Sequence, residues 1–125
     1  MAQTHTAQLV GKRFDSPDEV RRFEGHGRID LVDLNGHMVG LATFEPGWQW
    51  SKHVKPIAGT DSCEVEHLGY VLEGRIMLRM DDGTEHEFGP GETFHMPPGH
   101  DAWTVGNQPC RMLDFGGLVH YGQAH

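Results

Sequence analysis

The chain has 125 residues, the length of a single domain, and a net charge of −8 at pH 7 from 10 Lys and Arg and 18 Asp and Glu residues. This acidic balance argues against nucleic acid or an anionic membrane as a partner, because both bind surfaces rich in Lys and Arg. No apolar run approaches the roughly 20 residues of a membrane span. The first residues lack the charged and apolar regions of a signal peptide, so we expect a cytoplasmic protein.

Seventeen glycines and seven prolines, spread in short groups, predict many turns between short strands and therefore an all-β domain. We expect residues 1–15 to form an N-terminal arm and residues 16–125 to form one domain. Ser16-Pro17-Asp18-Glu19 has the pattern of a capping box with proline at the first helical position. It predicts a short helix over residues 17–23.

Alternating apolar and polar residues on both sides of Asn35-Gly36 predict a hairpin of residues 28–34 and 37–44, closed by a type I′ turn. The same alternation predicts the remaining strands, whose spacing favours a sandwich or a closed barrel. These strands cover residues 48–55, 64–72, 75–80, 84–88, 100–105 and 110–115, with a loop over residues 56–62.

A rigid corner at Pro97-Pro98-Gly99 separates the strand that follows Gly91 from the strand that begins at His100. The two prolines fix φ and remove two backbone donors, and Gly99 can adopt positive φ where the chain reverses. A histidine directly after such a corner is held on a stiff support. This suits a metal ligand or a general base, whose position must be kept within a fraction of an ångström.

Two glycine-anchored patterns resemble the paired motifs of the cupin superfamily, and in particular its small single-domain bacterial members. Gly47 is followed after five residues by His53, and Gly91 is followed after five residues by Pro97 and then by Gly99. The resemblance covers residues 41–115 and implies a double-stranded β-helix, a jelly-roll barrel. It also implies a divalent metal ion inside the barrel, held in the family by a His-x-His pair, a Glu and a further His.

The family's ligand positions are only partly matched. His53 stands at the first histidine, but Lys55 replaces the second, His67 stands where the family has Glu, and Ala102 replaces the last histidine. Side chains two apart on a strand share a face, so His100 faces the same side as Ala102. We therefore predict His53, His67 and His100 as ligands of Fe, Zn, Ni, Cu or Mn.

Three neutral imidazoles leave the full +2 charge on such an ion, which favours a small anionic or enolisable organic molecule. Lys55 would strengthen this preference and is the predicted catalytic group. A metal-dependent dioxygenase or isomerase fits these features, and a non-catalytic small-molecule binding or sensor module is the alternative. A homodimer is expected, because the N-terminal arm has no partner within its own barrel.

Several residues are left open at this stage. His95 is either a fourth ligand or a partner of one, and Cys63 is interpreted as a buried inert thiol that could instead lie at the barrel mouth. Both cysteines are expected to be free thiols. Four carboxylates could serve as acid or base, namely Glu45, Glu64, Glu66 and Asp114. Six histidines are interpreted as surface residues, namely His5, His26, His37, His86, His120 and His125.

Overall fold

The computed structural model describes residues 8–116, which form two antiparallel sheets around one apolar core. In this part of the chain there are nine strands and two short helices. The strands are β1 (Glu19–Phe23), β2 (Gly27–Leu34), β3 (His37–Phe44), β4 (His67–Glu73), β5 (Arg75–Met80), β6 (Glu85–Phe88), β7 (Thr93–Met96), β8 (His100–Val105) and β9 (Cys110–Asp114). The helices are α1 (Trp50–His53) and α2 (Lys55–Ala58).

The six-stranded sheet has the order β1-β2-β3-β9-β4-β7, and the three-stranded sheet has the order β6-β5-β8. Their inner faces supply one cluster of buried side chains, including Ile29 and Val71 from the larger sheet and Ile76 and Leu78 from the smaller. Alternating burial along the strands follows from the two-residue period of a pleated strand. The predicted double-stranded β-helix is confirmed. No helix within residues 8–116 has the length and apolar character needed to cross a membrane.

The hairpin predicted around Asn35-Gly36 is confirmed. β2 and β3 pair in antiparallel register from Gly27↔Phe44 to Leu34↔His37. Both turn residues have positive φ, 56° for Asn35 and 90° for Gly36, as a type I′ turn requires. A local turn signal was therefore sufficient to fix the register of two strands.

The helix predicted over residues 17–23 is wrong, because this segment contains strand β1. β1 pairs along its whole length with β2 and buries Phe23 in the core. The Asp18 carboxylate does not cap a helix. It accepts a hydrogen bond from the backbone N–H of Asp33 at 2.7 Å and another from Lys12 Nζ at 2.8 Å. Pairing with the free edge of β2 outweighed a local capping pattern.

The strand predicted over residues 48–55 is also wrong, because α1 and the first residue of α2 occupy residues 50–53 and 55. The rest of α2, residues 56–58, lies in the predicted loop. Trp50 and Val54 are both buried, and residues four apart share one face of a helix. The Asp101 carboxylate accepts a hydrogen bond from the backbone N–H of Ser51 at 3.0 Å, in the first turn of α1. Gly59 ends α2 in the left-handed conformation.

The corner at Pro97-Pro98-Gly99 is present as predicted. β7 ends at Met96, Gly99 has a φ of 92°, and β8 begins at His100. Burial alternates along β8, with His100, Ala102 and Thr104 buried and the residues between them partly exposed. His100 therefore points into the barrel, on the face predicted by parity with Ala102.

Candidate metal centre

Three buried side chains, those of Cys63, His67 and His100, converge inside the barrel. One potential ligand atom from each lies within 4.8 Å of the other two. His67 and His100 are the first residues of β4 and β8, and their ring centroids are 5.6 Å apart. The backbone N–H of Cys63 donates to the carbonyl of His100 at 2.7 Å, and Gly99 N–H donates to the Cys63 carbonyl at 2.7 Å. This bridge holds the thiol opposite the corner.

The His67 ring is oriented by a buried carboxylate. Its Nδ1 lies 2.6 Å from Asp114 Oδ2, and both side chains are almost fully buried. Since a carboxylate only accepts, Nδ1 donates the hydrogen bond, and the lone pair of the neutral ring is on Nε2. Nε2 lies 3.8 Å from Cys63 Sγ. The nitrogen able to bind a metal thus faces the thiol.

The His100 ring is oriented in the same way by a backbone group. Its Nδ1 donates to the carbonyl of Pro97 at 2.7 Å, which leaves the lone pair on Nε2. Burial lowers the pKa of His100, with a smaller contribution in the same direction from His67. The neutral imidazole, which is the form that binds metals, is favoured.

Cys63 is the most deeply buried of the three, with a fractional exposure of 2%. Burial raises the pKa of its thiol to about 12. Without a nearby cation the group stays protonated at neutral pH, whereas a thiol that coordinates a metal ion is deprotonated. The predicted free thiols are confirmed for both Cys63 and Cys110.

The space beside these side chains is small and largely apolar. A cavity of about 20 Å³ is lined by His67, His100 and Asp114 together with core side chains such as Trp50, Ile76 and Met96. Such a volume holds about one water molecule. It also suits a single metal ion.

The model of the cupin domain matches residues 40–116, a span close to the predicted core of 41–115. The chain belongs to the cupin family. Solved structures similar to this cupin include an RmlC-like cupin from Shewanella frigidimarina, which is 17% identical with a TM-score of 0.53 and coverage of 91% of this chain and 93% of that one. No curated protein matches the sequence.

Two further similar structures carry functional names. KdgF from Halomonas sp. is 16% identical with a TM-score of 0.54, over 77% of this chain and 82% of that one. Oxalate decarboxylase from Lactobacillus farciminis, in a formate complex, is 16% identical with a TM-score of 0.55, over 79% of this chain and 30% of that one. At these identities the likeness is one of fold.

His53 lies apart from the cluster of this cupin, so the predicted three-histidine set is not assembled. It is the last residue of α1, and its ring stacks on His26 with centroids 4.2 Å apart. Its Nδ1 accepts a hydrogen bond from the backbone N–H of Gln49 at 3.1 Å. Among the described residues, Cys63 and not His53 completes the group. The prediction depended on a strand where the chain forms α1, so the direction of the side chain was wrong.

Lys55 also does not belong to the cluster. It begins α2, its side chain is half exposed, and its Nζ lies 3.8 Å from Asp61 Oδ1. It does not line the cavity. The structure therefore gives no support to a catalytic role for Lys55.

His95 faces outward from β7, where alternation places Phe94 and Met96 inside. Its Nε2 pairs with Glu66 Oε2 at 2.9 Å on the surface. It does not belong to the cluster of Cys63, His67 and His100. Of the histidines interpreted as surface residues, His5, His120 and His125 lie outside the described residues.

Cys63 and Asp114 are functional candidates that the sequence did not single out. Cys63 stands four residues before His67. This spacing alone does not tell whether the thiol is inert or is a metal ligand. Asp114 was one of four candidate carboxylates, and only the pairing of β9 with β4 brings it to His67.

Cys63 contacts His67, and His67 contacts Asp114. Thiol enzymes use the same arrangement of a nucleophile, a base and a carboxylate that orients the base. The environment of the thiol argues against this use. Reactive thiols lie in partly exposed, electropositive surroundings with a lowered pKa, whereas the pKa of Cys63 is raised to about 12 by burial. A metal ligand accounts better for the same geometry.

Proposed function

We propose that this cupin binds one divalent transition metal ion through Cys63, His67 and His100. The observation that carries the proposal is the convergence of these three buried side chains, with both Nδ1 atoms already engaged as donors. One thiolate and two imidazoles are a donor set used for Zn²⁺ and for copper, and they suit Fe²⁺ and Ni²⁺ better than Mn²⁺, which prefers oxygen. Three protein ligands leave a coordination position open.

We further propose that the centre acts on a small anionic or enolisable organic molecule, as a dioxygenase or an isomerase. The bound ion would supply Lewis acidity toward one oxygen of that molecule. The protein would orient it and exclude water with the apolar side chains around the cavity, including Trp50 and Ile76. Because the Cys63 thiolate carries a negative charge, the centre attracts anions less strongly than three imidazoles would.

A metal titration followed by a substrate screen tests this proposal. Chelator-treated protein should take up close to one Zn²⁺, Fe²⁺, Ni²⁺ or Cu²⁺ per chain, measured by elemental analysis after gel filtration. The loaded protein is then offered small carboxylates, for which the name of the oxalate decarboxylase neighbour gives a starting point, and enolisable 2-oxo acids. Oxygen uptake reports a dioxygenase, and exchange of an α-proton for deuterium, seen by NMR, reports an isomerase.

The second candidate is a metal-dependent binding or sensor module without catalysis. The cavity of about 20 Å³ favours it, because a metal ion fits in this space with little room left for an organic substrate. One metal ion bound per chain, with neither oxygen uptake nor proton exchange, would select this candidate. Failure to bind any of the metals would remove both.

A further inference from the structure

We infer that Asp114 is the positioning residue of the centre, and that it acts on the metal only through His67. The inference rests on the proposed metal binding and goes beyond it. The buried carboxylate keeps the proton of His67 on Nδ1. It thereby directs the lone pair of Nε2 toward Cys63 and His100.

The sheet is built to allow this contact. Asp114 lies on β9 between two glycines, Gly40 of β3 and Gly69 of β4, which are its direct partners in register. His67 stands two residues before Gly69 on the same inward face of β4, so the missing side chain at Gly69 lets its ring reach Asp114 diagonally. A Cβ at Gly69 would lie 1.9 Å from the Leu113 carbonyl oxygen and 2.7 Å from Phe94 Cζ.

The positioning role explains why the carboxylate of Asp114 is buried. Its fractional exposure is 1%, and its ion pair among the described residues is with His67. Its other oxygen, Oδ1, accepts a hydrogen bond from the backbone N–H of Gly116 at 3.0 Å. A carboxylate in apolar surroundings is costly unless its partners are well placed. Orienting a metal-binding histidine, and making its ring a better donor, is what such carboxylates do in metal sites.

The two histidines give an internal comparison. His100 receives the same orientation from the Pro97 carbonyl, a neutral backbone group that no substitution can remove. His67 depends on a side chain. Changing Asp114 should therefore disturb one histidine and leave the other in place.

The test uses Asp114→Asn, which keeps the shape but can turn an amide N–H toward Nδ1 and so shift the proton of His67 to Nε2. We expect affinity for Zn²⁺, measured by competition with a chromophoric chelator, to fall by about 10- to 100-fold. Asp30→Asn is the matched control. It removes another buried carboxylate of the same sheet, one that pairs with Arg28, and should leave Zn²⁺ affinity unchanged.

A double-mutant cycle with His67→Ala separates positioning from direct ligation. If Asp114 acts through His67, adding Asp114→Asn to His67→Ala causes no further loss of Zn²⁺ affinity. A further loss of tenfold or more would show Asp114 to be a ligand and overturn the inference. Full affinity in the single Asp114→Asn variant would overturn it as well. Wild-type protein that binds no metal would instead refute the proposed function, so the two failures are distinguishable.

A measurement on the unmodified chain covers the case in which Asp114→Asn fails to fold. Long-range ¹H–¹⁵N NMR of metal-free protein reports which nitrogen of His67 carries the proton. We expect Nδ1. A proton on Nε2 would contradict the positioning role directly.

Discussion

Two segments supply the candidate centre, and they differ in how the chain builds them. The corner segment, residues 91–105, consists of two strands around Pro97-Pro98-Gly99. The two-residue period of the second strand, counted from the family's ligand position at Ala102, placed His100 inside the barrel. The segment of residues 47–67 forms two short helices instead of a strand, which carries His53 away and leaves Cys63 and His67 in the barrel. A motif therefore identifies a ligand correctly only where the local sequence also determines the backbone that carries it.

Trp50 is the buried side chain that we expect to hold residues 50–53 in the helix α1. Trp50→Ala removes a ring that is only 2% exposed. The ring belongs to α1, the helix that also carries His53. It should lower the free energy of unfolding by about 3 to 5 kcal/mol, measured by urea denaturation. Trp103→Ala is the control on the corner segment, where the half-buried ring packs under Arg79, and should cost only about 1 kcal/mol. Equal losses would show that Trp50 does not anchor the helix.

The two histidines that flank the corner should differ sharply in their effect on metal binding. His100→Ala removes a ligand, so Zn²⁺ affinity should fall by more than about 100-fold, beyond the loss expected for a supporting residue. His95→Ala removes only a surface pair with Glu66 and should change nothing measurable. Isothermal titration calorimetry at neutral pH gives both values. The opposite ranking would place the ligand on β7 instead.

The thiol of the first segment can be compared with a second buried thiol outside the centre. Burial raises the pKa of both Cys63 and Cys110 from 9.0 to about 12. Above pH 9 the unfolded chain loses these protons while the folded chain keeps them, so stability falls as pH rises toward 12. The slope should be about 1.4 kcal/mol per pH unit for each thiol.

Urea titrations of chelator-treated protein between pH 8 and pH 11 measure this slope. Cys110→Ala and Cys63→Ala should each remove about half of it. A variant whose stability keeps the full slope would show that the thiol it lacks is not protonated in the folded chain.

Removal of the Lys55 side chain should have almost no effect on stability or on metal binding. Its side chain is half exposed, and its contact with Asp61 lies on the surface. Lys55→Ala should therefore change the free energy of unfolding by less than about 0.5 kcal/mol and leave metal affinity as it is. A fall in metal affinity, measured by the same calorimetry, would mean that α2 approaches the centre more closely than the structure shows.

The elements that the sequence predicted correctly are those with local causes. Asn35-Gly36 requires positive φ at both turn residues, and the proline corner stops β7 and restarts the alternation at His100. The incorrect elements depend on distant partners. Residues 19–23 form a strand because the edge of β2 is available for pairing. The first turn of α1 is stabilised by a hydrogen bond from the Ser51 N–H to the carboxylate of Asp101, 50 residues away.

The residues of the candidate site also differ in whether the sequence could predict them. His67 and His100 were predicted, whereas Cys63 and Asp114 join them through the bridge to His100 and the pairing of β9 with β4, which no local pattern reveals. The homodimer stays a prediction, which light scattering at micromolar concentration would test.

The central claim is that Cys63, and not His53, completes the centre with His67 and His100. The absorption spectrum of the protein titrated with Co²⁺ tests it most directly, because a cobalt–thiolate bond adds a charge-transfer band in the near ultraviolet. We expect this band to saturate at one Co²⁺ per chain, to disappear in Cys63→Ala and to persist in His53→Ala. A Co²⁺ complex without the band in the unmodified protein, or one that His53→Ala abolishes, would contradict it.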